Sequence, residues 1–182
     1  MFTFVESALS GCFEVRPRVF DDTRGRFVKT FHRDLFAAHG LATEFPEQYY
    51  SVSRRGVVRG LHFQTPPHDH AKLVHCLDGE VVDVVLDLRV GSPTYGKTAA
   101  FELSAARANG VYVPKGMAHG FCVTSESALL LYDVGTVHAP SHDAGVLWSS
   151  VDFDWPTAAP IVSDRDAALP PFREFESPFR HG

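Results

Sequence analysis

The stretch EVVDVVLDLR, residues 80–89, decides the fold class of this chain. Polar and apolar side chains alternate along it, with Val82, Val84, Leu86 and Leu88 on one face and Asp83, Asp87 and Arg89 on the other. A period of two is typical of a β-strand, because successive side chains of a strand point to opposite sides. We therefore expect a strand here with one face in the core.

Outward from this strand, the chain continues as short segments of similar character separated by turn residues. We predict strands over Gly56–Gln64, Lys72–Leu77, Thr98–Leu103, Gly110–Pro114, Gly120–Thr124 and Ala128–Val134. Many short strands at this spacing indicate a sandwich or a barrel, and closing the sheet would remove exposed edges. Helical periodicity is scarce. It is limited to Asp34–His39, with Asp34 able to cap and Gly40 able to stop the helix, and a turn near Asp164–Ala168.

The length and composition are those of one ordinary globular domain. At 182 residues the chain can bury a substantial core, and it is short for two domains. We predict one all-β domain over residues 1–182, with the irregular, Pro-rich end from about residue 156 to 182 wrapping the barrel. The net charge of −5 argues against nucleic acid as the main partner, although a local basic pocket for a small phosphorylated ligand stays compatible with it.

The sequence also predicts a cytoplasmic location and no membrane partner. The first residues lack a basic leader followed by an apolar run, and no stretch approaches the roughly 18 apolar residues of a membrane-spanning helix. Cys12, Cys76 and Cys122 are an odd set without paired metal-ligand spacing. We expect them to be reduced, packed thiols.

Ten histidines are many for this length, and one hypothesis is a metal site. His68-x-His70, followed at a distance by Pro-x-Gly-x-x-His119, is close to the ligand arrangement of metal-binding cupins, and imidazoles suit Zn, Fe, Ni or Mn. The carboxylate expected after the His-x-His pair is missing, since His75 stands near that position. A metal-dependent oxygenase or isomerase using His68, His70 and His119 is the alternative, and we predict no metal.

The other hypothesis is acid–base chemistry on an anionic ligand. A hydrogen next to a ketone can be removed by a base on one face if the enolate is stabilised, and His62 is a candidate because the pKa of histidine lies nearest neutral pH. Lys72 and Arg59 would supply positive charge for an enolate or for phosphates. Tyr132 could donate a proton from the opposite side. A non-catalytic module that only binds such a ligand is a third hypothesis, but it would need no opposed acid and base.

Several long motifs follow one another in an order that resembles the dTDP-4-dehydrorhamnose 3,5-epimerase family from about Cys12 to Phe172. The motifs are Arg24-Gly25-x-Phe27, Ser51-x-Ser53, Gly56-Val57-Val58-Arg59-Gly60-Leu61-His62-Phe63-Gln64, Lys72-Leu73-Val74, Asp87-Leu88-Arg89-x-Gly91-Ser92-Pro93-Thr94-Tyr95-Gly96, Val113-Pro114-x-Gly116-x-Ala118-His119-Gly120-Phe121, Trp155-Pro156 and Ser163-Asp164-Arg165-Asp166. The resemblance implies a double-stranded β-helix (cupin or jelly-roll) barrel that works as a homodimer without metal or cofactor. It also implies epimerisation of a nucleoside-diphosphate-4-keto-6-deoxyhexose in deoxysugar biosynthesis.

The resemblance also implies roles for individual residues. His62 would abstract the proton at C3, C5 or both, with Asp166 as its partner, Tyr132 as the acid on the opposite face and Lys72 stabilising the enolate. The expected substrate-binding residues are Arg24, Phe27, Lys29, Glu47, Tyr49, Arg59, His119 and His138.

Some positions depart from the family pattern. Lys29 replaces a usual Glu, and Glu47 and Tyr49 lie where the family shows Gln and Asn, so a different nucleotide such as a CDP-linked sugar is an alternative. Val137-His138 replaces a pair of tyrosines near the sugar, so epimerisation at C3 alone or C5 alone is another.

One local difficulty concerns Arg59 and His62. In a regular strand residues an odd number apart face opposite sides, so only one of them would reach the site. Gly60 between them could permit a bulge that re-aims one side chain. We expect such a bulge.

Overall fold

The computed structural model describes all of residues 1–182 as an antiparallel β structure with two short helices. The thirteen strands are β1 (Phe2–Glu6), β2 (Phe13–Pro17), β3 (Val19–Asp22), β4 (Gly25–Val28), β5 (Glu47–Arg54), β6 (Val58–Gln64), β7 (Lys72–Asp78), β8 (Glu80–Asp87), β9 (Thr98–Ser104), β10 (Gly110–Val113), β11 (Met117–Val123), β12 (Ser127–Val134) and β13 (Asp143–Gly145). The helices are α1 (Arg33–Ala37) and α2 (Asp164–Ala167), and 3₁₀ turns span Trp148–Ser150 and Phe172–Glu174. None of the helices has the length and apolar character that crossing a membrane requires.

Two sheets face each other around the core. One has the order β1-β2-β10-β7-β12-β5 and the other the order β13-β6-β11-β8-β9, while β3 and β4 pair only with each other as a separate hairpin. A cluster of 17 buried residues lies between the two sheets and includes Val74, Val85, Phe121 and Leu130. The predicted all-β class is confirmed.

The seven predicted strands all form, and no end is shifted by more than three residues. The prediction that β8 buries only one face is wrong. Val81 and Val85 pack between the sheets on the same side as Asp83, whereas Val84 and Leu86 belong to a second buried cluster on the other side. The second face is covered because the C-terminal part of the chain, including Phe172, Phe175 and Phe179, packs against it.

Six strands were not predicted, namely β1 to β5 and β13. Strand β5 matters most, because it is the edge strand beside β12 and brings Glu47, Tyr49 and Ser51 to the mouth of the barrel. Its sequence, EQYYSVSR, has little apolar content, so period-two patterning gives it no signal.

Helix α1 begins at Arg33, so Asp34 lies in its first turn and does not cap it, in contrast to the prediction. Gly40 follows the helix with φ of +70°, the left-handed conformation in which glycine commonly ends helices. The three cysteines are all buried and unpaired, as expected for packed thiols.

Candidate active site

A polar cavity of about 340 Å³ opens between the two sheets. Eight of the twelve predicted site residues line it: Glu47, Tyr49, Arg59, His62, Lys72, His119, Tyr132 and His138. A ninth, Asp166, lies against His62. The predicted base and the predicted acid therefore share one cavity.

His62 and Asp166 form a hydrogen-bonded pair. Nε2 of His62 lies 2.6 Å from Oδ1 of Asp166, and Oδ2 of the same carboxylate accepts the backbone N–H of Gly60 at 3.0 Å. Asp166 is held in α2, whose N-cap Ser163 accepts the Asp166 N–H at 3.1 Å. The carboxylate thus anchors both the ring and the backbone of the strand that carries it.

The environment sets the charge of this pair. Burial lowers the pKa of His62 below its ordinary value, against the opposing effect of the Asp166 hydrogen bond. Burial alone would raise the pKa of Asp166, but the hydrogen bond from His62 and the one from Gly60 hold it below its ordinary value. At neutral pH the pair is therefore a neutral imidazole and a carboxylate. Nε2–H then donates to Asp166, which leaves Nδ1 as the free basic nitrogen.

Arg59 and His62 do reach the same cavity, and the predicted bulge is the reason. His119 of β11 pairs with His62 and Phe121 pairs with Arg59, so two residues of β6, Gly60 and Leu61, lie opposite the single residue Gly120 of β11. Gly60 has φ of +128°, and a Cβ on it would lie 2.6 Å from Cα of Gly120. Only glycine fits this close approach of two strands.

Tyr132 is buried opposite β6, and its hydroxyl lies 3.2 Å from Oγ of Ser51. Burial is the main cause that raises the pKa of this phenol, so Tyr132 stays protonated and can donate. The ring of Tyr49 stacks on it, with centroids 4.8 Å apart.

Lys72 supplies a buried amine. Its Nζ donates to the backbone carbonyl of His62 at 3.1 Å. Burial lowers the pKa of Lys72 to about 8, although the carboxylates of Asp143 and Asp83 oppose the shift. At neutral pH Lys72 is therefore mainly a cation, and it lies beside His62 in the cavity wall.

His119 is paired with a carboxylate that the sequence did not indicate as a site residue. Its Nε2 lies 2.7 Å from Oδ2 of Asp83, which is fully buried. Asp83 belongs to the polar face of the predicted strand, and in the structure this face points into the barrel. Its Oδ1 has no hydrogen-bond partner.

The structure does not bring the alternative metal ligands together. Nδ1 of His70 lies 2.7 Å from Oγ1 of Thr136, Nε2 of His119 is paired with Asp83, and the ring of His68 packs on that of His142. No group of three or more His, Cys, Asp or Glu side chains is arranged to hold a metal ion.

Arg24, Phe27 and Lys29 do not line the cavity of their own chain. They belong to the β3–β4 hairpin and its end, where Arg24 pairs with Asp22 at the surface and Phe27 is 63% exposed. Their role as substrate-binding residues stays a prediction.

Four of the polar residues that line the cavity were not predicted as site residues: Ser51, Gln64, Asp143 and Arg165. Arg165 pairs with Asp143 at 2.7 Å across the cavity wall. Ser51, Gln64 and Arg165 all lie inside the motifs quoted above, so the family resemblance could have indicated them as site residues. Asp143 lies outside these motifs, and nothing in the sequence indicates it.

The fold and the site together define the class: a cupin-type enzyme with a polar cavity between its two sheets that His62, Lys72 and Tyr132 line. Comparison with known proteins identifies the family. A family model described as dTDP-4-dehydrorhamnose 3,5-epimerase matches residues 6–174, and the chain belongs to this family. It is therefore an isomerase that acts on sugar nucleotides.

Individual relatives agree with this placement. The dTDP-4-dehydrorhamnose 3,5-epimerase of Shigella flexneri is 42% identical over 153 residues, which are 82% of this chain and 84% of that protein. The dTDP-4-dehydrorhamnose 3-epimerase of Streptomyces niveus is 42% identical over 161 residues, 87% of this chain and 78% of that one.

Among solved structures, the dTDP-6-deoxy-D-glucose-3,5-epimerase of Legionella pneumophila Philadelphia 1, in complex with dTDP-4-keto-L-rhamnose, matches with a TM-score of 0.95. Its identity to this chain is 29%, and the match covers 100% of both chains. The likeness confirms the predicted double-stranded β-helix (cupin) fold.

Proposed function

We propose that this chain epimerises a nucleoside-diphosphate-4-keto-6-deoxyhexose of the dTDP type, with His62 as base and Tyr132 as acid. The observation that carries the proposal is that His62, whose imidazole is paired with a carboxylate, and Tyr132, whose phenol is protonated, line the same cavity. C3 and C5 both flank the C4 ketone, so the hydrogens on both carbons are acidic enough for a positioned base.

The proposed reaction has two proton transfers. Nδ1 of His62 takes the proton from C3 or C5, and the electron pair moves to the C4 oxygen as an enolate, which the Lys72 ammonium stabilises. Tyr132 then protonates the same carbon from the opposite face, which inverts it. Solvent returns a proton to the phenolate and removes one from the imidazolium, so the enzyme is regenerated without an external reductant or oxidant.

Solvent exchange measured by NMR tests this proposal. In D₂O the parent is expected to incorporate deuterium at C3, C5 or both of a 4-keto-6-deoxy sugar nucleotide. Tyr132→Phe should still exchange, because His62 can return deuterium to the face from which it took the proton, but it should not invert the carbon. Tyr95→Phe, outside the cavity, is the control. Inversion at the parent rate by Tyr132→Phe would remove Tyr132 as the acid.

The nucleotide and the carbon are tested together by running the dTDP- and CDP-linked 4-keto-6-deoxyglucose side by side. The family favours dTDP, and Lys29, Glu47 and Tyr49 are the departures that favour testing CDP. Epimerisation at C3 alone is a second candidate, supported by the Streptomyces niveus 3-epimerase at 42% identity.

We also propose that residues 1–182 form one cytoplasmic domain that acts as a homodimer without a cofactor. If Arg24, Phe27 and Lys29 bind substrate, their distance from their own cavity requires that the hairpin of one subunit serve the other. Mixing inactive His62→Ala with inactive Arg24→Ala should then restore activity, because the mixed dimer has one intact cavity and one intact hairpin serving it. No recovery from dimers shown to have exchanged subunits would contradict this arrangement.

A further inference from the structure

Tyr49 and Tyr132 lie directly opposite each other on neighbouring antiparallel strands. Tyr49 of edge strand β5 is the register partner of Tyr132 of β12. Their ring centroids are 4.8 Å apart and the ring planes differ by 19°, which is a stacked pair. Such cross-strand aromatic pairs fix the position of both rings relative to the sheet.

Among the contacts of Tyr132, only Tyr49 stacks on the face of its ring. The hydroxyl lies 3.2 Å from Ser51, and the His119 ring is edge-on with centroids 6.1 Å apart. Tyr132 is 6% exposed, and one face of its ring is covered by the ring of Tyr49, which is itself 42% exposed. The phenol cannot swing toward β5 while the Tyr49 ring stays in place.

We propose that Tyr49 is a positioning residue for Tyr132, and that its ring sets the ratio of proton delivery to C3 and C5. The proposal rests on the proposed function, in which Tyr132 is the acid. C3 and C5 lie on opposite sides of the C4 ketone, so a phenol fixed at one point is closer to one of them in a given substrate pose. Proton transfer depends steeply on this distance, because misplacement by about 1 Å can cost on the order of 100-fold in rate.

The ring of Tyr49, and not its hydroxyl, carries this role. The Tyr49 hydroxyl makes no hydrogen bond within the protein, and stacking requires only the ring. Burial, with the nearby carboxylates of Glu47 and Asp143, raises the pKa of Tyr49 to about 12, so the hydroxyl adds no charge to the cavity.

The test compares Tyr49→Ala, Tyr49→Phe and Tyr50→Ala. Tyr50 lies on the same strand, faces outward and is 68% exposed, so its loss controls for damage to β5. We expect Tyr49→Ala to lower kcat for epimerisation about two- to tenfold, the range of one aromatic pair, and to change the ratio of inversion at C3 to inversion at C5 while KM changes less. Tyr49→Phe should restore the ratio, and Tyr50→Ala should keep it.

Two results would overturn the proposal. One is a Tyr49→Phe variant as impaired as Tyr49→Ala, which would show that the hydroxyl acts directly. The other is a Tyr49→Ala variant with the parent's kcat and the parent's ratio of inversion at C3 to inversion at C5.

A readout that does not depend on activity separates this proposal from the proposed function. With 3-fluorotyrosine incorporated, the ¹⁹F resonance of Tyr132 is assigned from its absence in Tyr132→Phe. It should shift and broaden in Tyr49→Ala but not in Tyr50→Ala, and an unmoved resonance overturns the proposal. A parent that exchanges no 4-keto sugar nucleotide would refute the proposed function, whereas the resonance would still show whether Tyr49 fixes the ring.

Discussion

Nε2 of His62 lies 2.6 Å from Oδ1 of Asp166, and the other oxygen of that carboxylate holds the backbone N–H of Gly60. One carboxylate thereby fixes both the tautomer of the ring and the strand from which the ring projects. Asp166 is 104 residues away from His62 in sequence, on a helix of only four residues.

Asp166→Asn tests the value of this pairing. The amide keeps the size of the carboxylate but loses the charge that fixes the tautomer and stabilises the imidazolium. We expect kcat for exchange to fall about 100-fold or more, with KM changed much less. The melting temperature of the variant serves as the control for folding. A rate within about threefold of the parent would show that the carboxylate has only a structural role.

The rate should depend on pH through two groups of the cavity. It should fall in acid, at a pH below the ordinary pKa of histidine, as His62 becomes protonated. It should fall again as the pH rises through about 8, because the Lys72 ammonium then loses its proton. Tyr132 does not cause this fall, because burial raises the pKa of its phenol above the ordinary value. The guanidinium of Lys72→Arg keeps its charge at higher pH. This variant should react more slowly than the parent, and its rate should no longer fall above about pH 8. An alkaline limb unchanged in Lys72→Arg would assign it to another group.

The fold should lose stability in acid because of His75. Burial lowers the pKa of this fully enclosed imidazole to about 4, against about 6.5 for a histidine in the unfolded chain. Between these values the unfolded state binds more protons, so the stability present above pH 6.5 is lost as the pH falls toward 4, by up to about 3 kcal/mol.

Urea unfolding of the parent, His75→Gln and His181→Gln at pH 7 and pH 5 measures this loss. His75→Gln should lose less free energy of unfolding between the two pH values than the parent. His181→Gln, at the exposed C-terminal end, should keep the parent's dependence. Equal losses in all three proteins would exclude His75 as the source.

Much of the barrel could be predicted from the sequence because its central strands are apolar and regular. The exceptions have physical causes. Strand β5 is polar, because it is an edge strand whose side chains line a cavity. Hydrophobic periodicity therefore does not predict it. Asp83 looked like part of an exposed strand face, since periodicity separates two faces but does not say that a covering segment will bury both.

The residues of the site likewise include some that could be predicted from the sequence and some that could not. His62, Lys72 and Asp166 lie inside the motifs that carry the family resemblance, and Tyr132 lies on a predicted strand, so their proximity could be predicted, while their roles stay a proposal. Asp143 could not, because its position depends on the pairing of β13 with β6, which no local pattern encodes. The bulge at Gly60 followed from a simple parity argument and was confirmed.

Gly60→Ala should damage both stability and activity. The new Cβ would lie 2.6 Å from Cα of Gly120, and the backbone has φ of +128°, so either β6 or β11 must move. We expect a loss of at least about 2 kcal/mol in the free energy of unfolding, and a lower rate in the folded fraction, because Arg59 and His62 shift.

Gly40→Ala is the matched control for this substitution. It also has positive φ, but open space surrounds the new Cβ, so it should cost only about 1 kcal/mol and leave the exchange rate intact. Equal effects of the two substitutions would show that the contact between the strands is not tight.

Deuterium incorporation from D₂O into a 4-keto-6-deoxy sugar nucleotide, followed by NMR for the parent and for His62→Ala, is the decisive measurement of whether His62 removes the proton. With the imidazole as base, the parent incorporates deuterium at C3, C5 or both, and His62→Ala does so about 100-fold more slowly or not at all. Incorporation by His62→Ala at the parent rate, in a folded protein that binds the sugar nucleotide, would contradict the account.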